Sequence, residues 1–95
     1  MKIAKEFILR DILGEYVLVP TGTTAQEFNG MINLNEAAKV IWENLEKVDS
    51  LEEMVALLLE EFDVEEEKAR KDVMGFTTEL LNSGFIVPTK EDMSW

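Results

Sequence analysis

Carboxylates are the most abundant groups in this chain that could do chemistry, and they come in runs: Glu52-Glu53, Glu60-Glu61 and Glu65-Glu66-Glu67. Convergent, buried carboxylates can move protons or hold a metal ion. These flank helix starts, where water solvates them and the helix dipole favours negative charge. Asp63-Val64-Glu65-Glu66-Glu67 lacks the ligand spacing and the glycine of a calcium loop. Ser50 and Ser83 have no histidine to activate them, because the chain has none. Lys68 and Lys71 sit in a charge-rich, exposed segment. Without cysteine, disulfides, iron–sulfur clusters, Cys/His zinc sites and thiol nucleophiles are excluded. Gly22, Gly30 and Gly84 make no phosphate-binding pattern. The chain therefore reads as non-catalytic, with no catalytic residue, no metal site and no cofactor.

Other features carry more. Ninety-five residues make one domain with a modest core, and 46% apolar residues suit a folded chain. The net charge is −11. Residues 1–34 hold three basic groups (Lys2, Lys5, Arg10) against four acidic ones (Glu6, Asp11, Glu15, Glu27). That is a balance of −1, so −10 falls on residues 35–95. Such a surface is repelled by nucleic-acid backbones and anionic membranes. The start, MKIAKEFILRD, interrupts its apolar stretch with charge and is no signal peptide. The longest apolar run, Met54 to Leu59, is far below the ~20 residues of a membrane helix. The expected compartment is the cytoplasm.

Residues 7–12 and 16–20 read as a hairpin around Leu13-Gly14-Glu15. Residues 21–29 are polar and read as a mobile loop, with Phe28 as the single large apolar residue. Gly30 to Leu34 form a third, short strand. It runs into a helix without room for a loop: Asn35 is placed to cap that helix, and Ala38, Ile41, Leu45 and Val48 recur on one face. Trp42 lies outside this stripe and reads as half-buried. Ser50-Leu51-Glu52-Glu53 is a capping box opening a second helix, with Leu51, Met54, Val55, Leu58 and Phe62 inward. Asp63-Val64-Glu65-Glu66 predicts a third helix capped at Asp63 and reaching about Asn82. Gly84 suits a left-handed cap, Phe85-Ile86-Val87 a last strand, and Pro88 its stop. The domain thus covers 1–88, with a loose tail over 89–95. The expected core is Leu34, Ile41, Leu45, Val55, Leu58, Val73, Phe76 and Leu80.

The fold class expected is α+β: a three-stranded antiparallel sheet, three helices and a short terminal strand, arranged like a winged helix-turn-helix. That architecture raises DNA binding, which the acidity of the third helix opposes. The same helix has more apolar arc than one contact needs. Ala69, Val73, Phe76 and Leu80 form its core stripe. Met74, Thr77 and Leu81, with Arg70, form a second shoulder, which either packs inside the domain, against the first helix or residues 85–87, or faces a partner; Lys68, Asp72 and Glu79 form a solvated one.

The chain resembles the PqqD-like family over about residues 7–88. The resemblance rests on Gly14-Glu15 before the strand Tyr16 to Val19, and on Leu34-Asn35 entering a helix with Ile41-Trp42. A third piece is Asp72-Val73, Phe76, Leu80 and Gly84-Phe85-Ile86 at their spacings. It implies a small domain that binds the leader of a ribosomally made precursor peptide and presents it to a modifying enzyme, such as a radical enzyme using S-adenosylmethionine. The leader would add as a strand beside the third strand, against the third helix.

The residues themselves point the same way. A short strand at a sheet edge leaves backbone groups unpaired, and an apolar helix shoulder beside it supplies pockets. The expected peptide-binding residues are Met31, Ile32, Asn33, Leu34, Arg70, Met74, Thr77 and Leu81. The partners expected are the precursor peptide and the modifying enzyme. The chain itself is expected to be a monomer with weak pairing to a second copy. Two other classes compete: a structural or dimerisation domain beside an enzyme, and a DNA-binding regulator.

Overall fold

The structure is a computed structural model and describes residues 1–92 and Trp95. Its elements are β1 (Lys2–Ile3), β2 (Phe7–Ile12), β3 (Glu15–Pro20), α1 (Gly22–Glu27), β4 (Ile32–Leu34), α2 (Glu36–Asn44), α3 (Leu51–Glu61), α4 (Glu66–Asn82) and β5 (Ile86–Val87).

β2, β3 and β4 form the expected three-stranded antiparallel sheet, in that order. The hairpin turns at Leu13 (φ 53) and Gly14 (φ 85). Positive φ at both central residues is the twist a two-residue hairpin needs. The Asp11 carboxylate accepts the Gly14 N–H at 3.0 Å. Leu13, at the tip, is 100% exposed. Cross-strand partners Leu9↔Leu18↔Ile32 and Tyr16↔Leu34 share one face of the sheet. That face packs on the helices around fully buried Leu18, Ile41, Leu45, Met54, Leu58 and Val73. The opposite face carries Ile8, Arg10 and Ile12 beside Val19, Val17 and Glu15.

Two predicted caps form as expected. The Asn35 side chain accepts the Ala38 N–H at 2.8 Å, and Ser50 accepts the Glu53 N–H at 3.2 Å. Glu53 returns its carboxylate to Asp49 N–H, one residue earlier than the capping box predicts. At the end of α4, Gly84 (φ 75) donates to Leu81 O and Phe85 to Leu80 O, the paired bonds of a left-handed stop.

Five expectations change. Residues 21–29 are not a loop: α1 fills most of them. Thr24 is buried and its hydroxyl accepts the Glu6 N–H, while Phe28 packs edge-on against Phe7 and Phe85. Distant partners therefore order a segment whose own composition is polar. Trp42 is fully rather than half buried, because Phe7 stacks edge-on against it at 5.8 Å. α4 begins at Glu66 rather than beside Asp63, and its N-cap Glu65 makes no side-chain cap bond. The chain stays extended at Phe62 and Glu65, and both Phe62 and Val64 pack against the core. Burial of Val64 outweighs the cap Asp63 offers. Phe76 is only partly buried, for reasons that belong to the site. Lastly, β1 pairs with β5, tying the chain's start to the end of α4.

The expected loose tail over 89–95 lies partly outside the described residues, at Met93 and Ser94. Within them, Asp92 accepts from Thr89 N–H and from the Met1 amino group, and Trp95 packs against the core. No helix among the described residues is long and apolar enough to cross a membrane.

Candidate functional site

β4 is three residues long and hydrogen-bonds to β3 on one side only, so its other edge is open. An open edge is a row of unpaired N–H and C=O groups, ready to take another strand. The strand is short because Asn35 caps α2 immediately after it, and the junction fixes helix against strand. Three depressions meet there. A groove of about 330 Å³ runs between β4, α2 and α4, lined by Ile32, Ala38, Asp72, Gly75, Phe76 and Glu79 among others. An open cleft of about 630 Å³ lies at the end of β4, beside Gly14, Tyr16, Asn33 and Glu36. A smaller one of about 220 Å³ reaches Leu58, Phe62 and Val64 past the start of α2.

The strand half of the predicted site stands at this edge. Met31 and Asn33 are exposed, Leu34 is buried in the core, and Ile32 is half-buried with its side chain on the groove wall. The helix half does not meet it. At about 100° per residue, Arg70, Met74, Thr77 and Leu81 fall roughly opposite the Asp72, Phe76 and Glu79 face that lines the groove. Arg70 reaches α3 instead and forms two hydrogen bonds to Glu52, at 2.6 and 2.9 Å. These bonds chiefly hold the Glu52 carboxyl below its ordinary range; slight desolvation opposes them and the guanidinium charge adds to them. Thr77 is 5% exposed, and its hydroxyl donates to Val73 O at 2.7 Å. Leu81 packs against the core, and Met74 points to solvent, 51% exposed.

The groove face of α4 was hidden in the sequence for a physical reason. The core stripe of α4 runs Ala69, Val73, Thr77 and Leu80. It has a shoulder on each side, and a helical wheel does not say which one faces the sheet. Met74 and Leu81 made one shoulder look like the binding face. Asp72 and Glu79 made the other look solvated, and Phe76 passed as core. Gly75 was the available signal: a helix-interior glycine whose missing Cβ would meet nothing within 4 Å.

Among the described residues no three metal-ligating side chains come together. The charged groups lining the two larger depressions are carboxylates and Lys71, with Asn33, Asn35 and Tyr16 among the uncharged polar ones, and Lys39 lies 5.0 Å over the Tyr16 ring. What the arrangement can do is hold an extended chain between a strand edge and a helix.

The model of the family described as Coenzyme PQQ synthesis protein D (PqqD) matches residues 15–86, and the chain belongs to that family. Among solved structures it is similar to TbiB1 in complex with the TbiA(beta) leader peptide. The two are 26% identical with a TM-score of 0.65, over 90% of this chain and 93% of that one. None of the curated protein sequences compared with it matches.

Proposed function

We propose that this protein is a non-catalytic peptide-binding partner in the biosynthesis of a ribosomally made, modified peptide. It captures the leader of the precursor by strand addition at β4 and presents it to a modifying enzyme. The open edge of β4, backed by the groove to α4, is the observation that carries the reading. Membership of the PqqD family supports it, as does likeness to a protein solved with a leader peptide.

Backbone bonds from the edge supply affinity that ignores sequence; the groove supplies choice. Met31, Ile32, Asn33 and Leu34 present the edge. Opposite them, Asp72, Gly75, Phe76 and Glu79 take the place that the sequence assigned to Arg70, Met74, Thr77 and Leu81. The enzyme partner is the one that acts on the rest of the precursor, and a radical S-adenosylmethionine enzyme is the type the family resemblance suggests.

A titration tests the reading. Fluorescently labelled N-terminal segments of short precursors encoded beside the gene should bind saturably, and the core segments of the same precursors should not. Equal binding of both, or of neither, contradicts it.

A further inference from the structure

Gly75 has no backbone reason to be glycine. It lies inside α4 with no positive φ, and a Cβ there would meet no other atom within 4 Å. Glycine in a helix interior is disfavoured relative to alanine. Its side faces the groove, so what its bareness leaves open is the approach of a ligand to the helix. Asp72 lies one turn before it and Glu79 one turn after. Asp72 is bonded to Lys68 at 3.0 Å, and Glu79 forms no ion pair among the described residues. Glu15 and Glu36 continue the acidic rim into the next cleft, also without ion pairs among the described residues. Lys71 is the one cation lining the two depressions; with Lys68 held on Asp72 and Lys39 over Tyr16, the carboxylates left without an ion pair among the described residues are Glu15, Glu36 and Glu79.

We infer that the groove selects a segment of the form basic–x–apolar–x–basic. The apolar side chain sits over Gly75 against Phe76, and the two flanking Lys or Arg side chains reach Asp72 and Glu79. The inference rests on strand addition at β4 and specifies which peptides that site takes. Alternate residues of an added strand point to the same side, about 6.7 Å apart. Asp72 and Glu79 are about 10.5 Å apart along the helix axis, with Phe76 between them. The long stems of Lys and Arg cover the remaining mismatch, and an arginine can grip a carboxylate with two bonds.

The test is selection of a displayed library of random nine-residue peptides on the intact protein, followed by titration of the enriched peptides against variants. Enriched peptides should carry Lys or Arg two residues either side of an apolar residue. Gly75→Ala should melt at a higher temperature yet bind them severalfold more weakly. Glu79→Lys, at an exposed position, should weaken them about two- to fivefold and lose its effect at high salt. Enrichment without a charge preference, or variants that bind as the parent does, overturns the inference and leaves strand addition standing. Failure to enrich any peptide overturns both.

Discussion

Phe76 stands where packing and the proposed recognition meet. It is half-buried, one side against the core and the other on the groove wall. Phe76→Ala should therefore cost about 1–3 kcal/mol in urea melts, less than the 3–5 kcal/mol of a fully enclosed phenylalanine, and should also weaken peptide binding. A full core penalty with unchanged binding would place Phe76 inside the core alone. Thr77 is the counterpart. Its hydroxyl is spent on Val73 O, so Thr77→Val should change stability by less than about 1 kcal/mol and leave peptide binding unaltered. At this scale the sequence was legible wherever burial follows periodicity: seven of the eight expected core residues are buried. It was not legible where a residue's role depends on which neighbour its helix face meets.

Between elements, the Arg70–Glu52 bonds join α4 to α3. The Glu52 carboxyl is held low in the folded state. Its contribution to stability is present in full above the ordinary carboxylate range and is lost as pH falls through the lowered value. Glu52→Gln should lower stability at neutral pH and flatten the fall on the acid side, because the contribution it removes is the one present above the ordinary carboxylate range; an unchanged curve would mean the pair adds nothing. α1 depends on contacts farther away. Phe28→Ala should release amide protection over residues 22–28 while β3 keeps its own, because Phe28 packs only on Phe7 and Phe85 among the aromatic rings. Loss of protection in both would show that α1 is integral to the sheet. α2 and α3 could be placed from sequence because their caps are local. The start of α4, α1 and the β1–β5 pair could not. Each is decided by a partner distant in the chain: Val64 by the core, Thr24 by Glu6, and Ile3 by Ile86.

At the scale of the molecule, the charge is divided. Residues 35–95 carry −10 of the −11, while the sheet is nearly neutral and exposes Ile8, Ile12, Leu13 and Met31. Like-charge repulsion opposes pairing of copies at low salt, and screening weakens it. Sedimentation should show monomer at low salt, with any dimer growing as salt rises; a tight dimer at every salt would contradict this balance. The same asymmetry leaves the acidic groove to attract a basic peptide while the apolar sheet face stays outside it. Chemical-shift mapping with the leader segment of the neighbouring precursor tests the central claim most directly. Shifts should concentrate at residues 31–38 and at the 72, 75, 76 and 79 positions of α4. Shifts confined to α3, or to the Arg70, Met74 and Leu81 side of α4, would contradict the account.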